Sequence, residues 1–65
     1  MRQYETFELL RDINPMIKKG MIGVILEVYS FDTYEVEFVK EDGTNLEYQG
    51  QFTFTLKQSD IKKVE

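Results

Sequence analysis

The sequence predicts an all-β fold, a small barrel of about five or six short antiparallel strands, and three observations carry that prediction. Tyr34-Glu35-Val36-Glu37-Phe38 alternates apolar and acidic residues with a period of two, the pattern of a half-buried strand. Ile22 to Tyr29 is an apolar, β-branched run just ahead of it, and Asp42-Gly43 behind it is a hairpin signal. A flat sheet built from such short strands would leave one apolar face and two edges open, whereas a bent sheet covers the face and shortens the edges.

The elements follow in order. Residues 1–13 carry two patterns: Phe7 and Leu9 alternate around Glu8, while Tyr4, Phe7, Leu10 and Ile13 recur every third position. A strand near 5–10 is the reading adopted, ended by Asn14-Pro15. Lys18-Lys19-Gly20 is a turn. Gly23 lies inside the strand that follows and marks a bulge or a close approach of backbone. Strict alternation puts Val24, Leu26 and Val28 on one side of that strand and Ile25, Glu27 and Tyr29 on the other. Residues 30–33 form a short connection, and Lys40 to Thr44 a hairpin turn with Gly43 free to take positive φ. Leu46 and Tyr48 extend the return strand. Phe52, Phe54 and Leu56 alternate with Thr53 and Thr55 in another, and a tight turn at 58–60 leads to a closing strand at 61–64. The expected core is Val24, Leu26, Val28, Tyr34, Val36, Phe38, Phe52, Phe54 and Leu56, in a single domain spanning residues 1–65.

The chain of 65 residues has no cysteine and no histidine. Disulfides are therefore excluded as a staple, and a soft or imidazole-based metal site has no ligands. A domain of this size hides only about 60% of the surface of its unfolded chain. Nine aromatics, four Tyr and five Phe, must supply much of the core. The formal net charge of −4 argues against a nucleic-acid binder, which needs a basic footprint, and against docking on anionic lipid. No stretch approaches the ~20 apolar residues of a membrane helix, and residues 1–15 hold no uninterrupted apolar signal region. A cytoplasmic location is the expectation.

Catalysis is not expected. The commonest general base and the thiolate nucleophile are both missing, Ser30 and Ser59 have no base beside them, and no phosphate-cradling glycine loop is present. No cofactor is expected either.

From Ile17 to Tyr29, through Thr33-Tyr34-Glu35-Val36-Glu37-Phe38-Val39 and Glu41-Asp42-Gly43-Thr44, the sequence resembles a small bacterial family, domain of unknown function 4926. The hydrophobic-Gly-x-x-Gly strand entry at Gly20 and Gly23 is also similar to KOW-type and other SH3-like barrels. Two departures stand out: Met21 occupies the position after the first glycine where the family carries an acidic residue, and the segment from Asn45 to Leu56 is longer, with Tyr48, Phe52 and Phe54 of its own. The resemblance implies an SH3-like fold. Families of this kind often occur as small immunity or accessory proteins in bacterial toxin systems.

Three groups of residues are candidates for binding. Glu35 and Glu37 share the outward face of the clearest strand, with Glu27 beside them if strands 22–29 and 34–39 pair, and Glu47 is added from the return segment. Lys40 and Lys57 are placed to neutralise part of this face. Tyr29 and Phe31 flank a short loop and suit interface anchors, and closing the barrel ends is their alternative role. Lys18, Lys19, Lys57, Lys62 and Lys63 are read as solubilising charges. Without tryptophan, a proline-peptide groove of the usual SH3 kind is not expected. The resulting expectation is a monomer or weak homodimer that binds a basic protein through Glu27, Tyr29, Phe31, Glu35, Glu37 and Glu47. An immunity protein that occludes a basic toxin is the leading version, and an accessory or self-associating SH3-like module the alternative.

Overall fold

The computed structural model describes residues 1–64. Five antiparallel strands make one sheet: β1 (Thr6–Leu9), β2 (Ile22–Ser30), β3 (Thr33–Phe38), β4 (Phe54–Lys57) and β5 (Ile61–Lys63), with a 3₁₀ turn at Gln58–Asp60 between the last two. The spatial order is β4-β3-β2-β1-β5. Phe7 and Leu9 of β1, Ile25 of β2, Tyr34, Val36 and Phe38 of β3, Phe54 and Leu56 of β4 and Ile61 of β5 all enter one core. Residues from both edge strands meet there, so the sheet curls around its own apolar face. Phe38 stands at its centre, edge-on to Phe7 with ring centroids 5.5 Å apart and 5.8 Å from Phe54. Such aromatic pairs add to the stabilisation that burial alone supplies.

The loops are tied down locally. The side chain of Asn14 accepts from the N–H groups of Met16 and Ile17, both at 2.9 Å, an Asx-type turn around Pro15 that drives Ile17 into the core. Gly20 and Gly43 take positive φ at their turns. Gly23 is a case of close approach. A Cβ there would sit 2.5 Å from Cζ of Phe7 and 2.6 Å from the carbonyl oxygen of Glu37, so only hydrogen fits. The Asp60 carboxylate caps the 3₁₀ turn, accepting from the Lys57 N–H at 2.9 Å and from the Arg11 guanidinium.

Strand β2 departs from the strict alternation expected of it. Gly23↔Phe38, Val24↔Glu37 and Ile25↔Val36 share one register, but the next pairs are Glu27↔Glu35 and Val28↔Tyr34, so Leu26 is an extra residue. A second shift lies between Val28 and Ser30. Each bulge resets the pleat by one residue and increases local twist. Ile25 is thus buried while Glu27, two positions on, is exposed. Val24 and Leu26, expected in the core, are only half-buried, and Val28 regains the inward side near the hairpin end, where it stays 38% exposed.

The segment from Asn45 to Thr53 is also corrected. It forms no continuous strand, only isolated bridges at Val39↔Asn45 and Tyr48↔Gln51. Gln49 and Gly50 both take positive φ, and Tyr48 and Gln51 exchange two backbone hydrogen bonds at 2.9 Å, a tight turn of the kind that favours Gly at its second position. Phe52, placed beyond this turn and before β4, is 51% exposed rather than part of the core, and Leu46 is the buried residue of the segment.

Candidate functional site

The β2–β3 hairpin builds the outward face. Because the first bulge turns Glu27 outward, it stands directly opposite Glu35, and Glu37, two residues along β3, lies on the same side. Side chains so opposed sit about 5 Å apart at Cβ, where like charges destabilise a sheet. Tyr29 follows on β2, 59% exposed. Its phenol pKa is pushed up first by burial, then by the neighbouring carboxylates of Glu35 and Glu27.

The carboxylates of Glu35 and Glu37 are held rather than loose. The two carboxylate oxygens of Glu35 each accept a threonine hydroxyl, from Thr53 and from Thr55, both at 2.6 Å. Glu37 accepts from the Asn45 side-chain amide at 2.9 Å. Hydroxyl and amide partners fix orientation without supplying positive charge. The ion pairs among the described residues lie elsewhere: Arg11–Asp60, Lys18–Asp12, Lys62–Glu8 and Lys63–Glu5. Lys57, placed to neutralise the face, reaches the Thr33 hydroxyl at 3.4 Å instead, and neither it nor Lys40 enters an ion pair among the described residues.

Phe31 occupies the hairpin tip with Asp32 and is 90% exposed. The turn beneath it is rigid. Asp32 accepts from the hydroxyls of Ser30 at 2.9 Å and Thr33 at 3.0 Å, and those bonds hold its carboxyl below the usual range. The buried Tyr34 hydroxyl accepts from the Met1 amino group at 2.8 Å and lies 3.1 Å from the Phe31 carbonyl. An aromatic ring free of the core on a fixed backbone loses little freedom when it docks.

Five of the six predicted site residues, Glu27, Tyr29, Phe31, Glu35 and Glu37, therefore belong to one hairpin. Glu47 lies outside the hairpin, exposed in the loop between the two isolated bridges. Thr53, Thr55 and Asn45 were not expected at the site. The alternation Thr53-Phe54-Thr55-Leu56 already places both threonines on the outward side of β4, but their meeting with Glu35 depends on β4 pairing beside β3.

A groove of about 650 Å³ borders β4, lined by Glu35, Thr53, Phe54, Thr55 and Leu56 together with Ile13, Tyr48 and neighbouring loop residues. Its volume falls within the range of about 300–1,000 Å³ usual for ligand clefts. Among the described residues no group of three or more metal-ligating side chains converges, and no helix is long and apolar enough to cross a membrane.

The profile of the family called domain of unknown function (DUF4926) matches residues 3–63. The chain belongs to that family. Comparison with curated proteins and with solved structures returned no match.

Proposed function

We propose that this member of the family is a non-enzymatic binding module for a basic protein, docking through the outward face of its β2–β3 hairpin. One observation carries the reading: Glu27 opposes Glu35 in register, beside Glu37, and none of the three has an ion pair among the described residues. Like charges held together at a cost to the sheet are relieved when lysine or arginine arrives from outside. Tyr29 and Phe31 supply aromatic anchors at the margin of the acidic patch. A standard interface takes about 800 Å² from each partner, roughly a fifth of the 4317 Å² surface of this chain.

In its most specific form the module is a cytoplasmic immunity protein that occludes a basic toxin, on an SH3-like barrel scaffold. The β4-β3-β2-β1-β5 order, the doubly bulged β2 and the 3₁₀ turn before β5 support that scaffold. An accessory or self-associating module is the alternative, favoured by the exposed apolar side chains Ile22 and Val39, which border a smaller cleft with Met21.

The deciding experiment is affinity capture of the tagged chain from its own cells at low salt, followed by a high-salt wash and identification of what elutes. The expected result is a basic protein released by salt and lost with Glu35→Lys/Glu37→Lys, and held less tightly by Phe31→Ser. Recovery of the chain alone, as a dimer indifferent to salt, would replace this reading with self-association.

A further inference from the structure

We infer that the partner is held by strand addition: an extended segment with Lys or Arg at alternate positions pairs with the open edge of β4, in the groove beside Glu35. The inference rests on the acidic-face reading above and specifies how the partner docks there. The two edges of the sheet differ. The β5 edge has three residues, and its Lys62 and Lys63 are engaged with Glu8 and Glu5, the kind of charged, short edge that resists pairing. The β4 edge, Phe-Thr-Leu-Lys, carries no charge until Lys57.

The hydrogen-bond phase shows which backbone groups that edge offers. Gln58 donates to the Asp32 carbonyl and Leu46 to the Phe38 carbonyl, both at 2.8 Å. In an antiparallel ladder the paired residues alternate, so between those two bonds Tyr34 exchanges with Leu56 and Val36 with Phe54. Thr55, between Leu56 and Phe54, must turn its N–H and C=O away from β3. Lys57 has the same orientation, and its outward N–H is taken by Asp60. No loop or turn hydrogen bond among the described residues takes up the Thr55 groups.

The groove surfaces then dictate the occupant. On the outward side the Glu35 carboxylate lies against Thr53 and Thr55, each oxygen still having a lone pair to offer. On the inward side Leu56, Phe54, Ile13 and Tyr48 give an apolar wall. A strand added to β4 would run about 10 Å from β3, two strand spacings, which a lysine or arginine side chain meeting Glu35 spans. Its alternate side chains face the apolar wall. Basic-apolar alternation is therefore the complementary pattern, with main-chain bonds giving affinity and side chains specificity.

The test uses a random twelve-residue peptide library displayed on phage, selected against the full chain. The expected result is enrichment of peptides with Lys or Arg at every second position. Binding of the best synthetic peptide should slow hydrogen exchange of the Thr55 amide at least tenfold and leave Phe54 and Leu56 unchanged. Glu35→Gln and Thr55→Pro should each weaken it at least tenfold. Proline at 55 removes the edge-facing N–H together with the hydroxyl that Glu35 accepts, so Thr55→Val, which removes the hydroxyl alone and should weaken binding less, is its control. Exchange at Thr55 in the unaltered chain gives the answer even if the proline variant does not fold. Failure to enrich such peptides, or binding that leaves the Thr55 amide unprotected, would overturn strand addition. If that binding were still lost on Glu27→Lys, the acidic face would stand without the strand. Binding indifferent to both changes would remove both readings.

Discussion

Glu27→Lys should make the protein more stable and its site less useful. Glu27 and Glu35 are paired in register across β2 and β3. The Cβ atoms of such a pair sit about 5 Å apart, and like charges directly opposite each other destabilise a sheet by about 0.2–1 kcal/mol. Lysine at 27 removes that repulsion and replaces it with an attraction of similar size. The expected gain is about 0.5–1.5 kcal/mol at low salt. That corresponds to a rise in melting temperature of roughly 4–8 °C per kcal/mol for a domain of this length. Glu27→Gln, which removes the repulsion alone, should give about half. Urea unfolding of the three proteins at low salt and at 1 M salt is the assay. At 1 M the Debye length is about 3 Å, and the differences should collapse. A Glu27→Lys protein that is no more stable at low salt, or whose gain persists undiminished at 1 M, would show that the pair stores no repulsion and would remove the main support for an acidic docking face.

Two further outcomes follow from the packing. Gly23→Ala should destabilise by about 2 kcal/mol or more, the scale of overpacking where backbone cannot yield, because the new Cβ meets the Glu37 carbonyl and the Phe7 ring. Chemical denaturation settles the sign, since a glycine in open strand would instead gain about 0.5–1 kcal/mol on replacement by alanine. Burial pushes the Asp60 carboxyl up, but hydrogen bonds from Arg11 and the Lys57 N–H outweigh it and leave the group below its usual range. A carboxyl depressed on folding stabilises the protein above its unfolded value, near about pH 4, and that stability is lost as pH falls through the folded value. Asp60→Asn should thus cost about 1–3 kcal/mol at neutral pH, and the gap from the unaltered protein should close in acid. A gap constant across pH-dependent melting curves would contradict the assignment.

Much of this molecule is legible in its sequence. The period of two in Tyr34 to Phe38 predicts both a strand and its buried set, and Tyr34, Val36 and Phe38 are all fully buried. Asp42-Gly43 gives its turn and Gly23 its close approach because those demands are local: a backbone angle, or the absence of a side chain. The strand near residues 5–10, chosen over a helical turn, is β1.

What the sequence could not show is where alternation breaks. Nothing in Ile25-Leu26-Glu27 marks Leu26 as extra; the bulge exists because the sheet must curl, and the curl is a property of all five strands together. That single inserted residue decides that Ile25 enters the core and Glu27 faces out against Glu35, so the proposed site owes its geometry to it. Phe52 leaves the core, and Glu47 falls outside the hairpin, for a related reason. They lie in a loop whose course is set by the Gln49-Gly50 turn and by the docking of Leu46, not by periodicity. Composition and local pattern determine strands, turns and charge, since these depend on neighbours in the chain. Register, the open β4 edge and the hydroxyls that hold Glu35 depend on neighbours in space, and only the folded sheet supplies them.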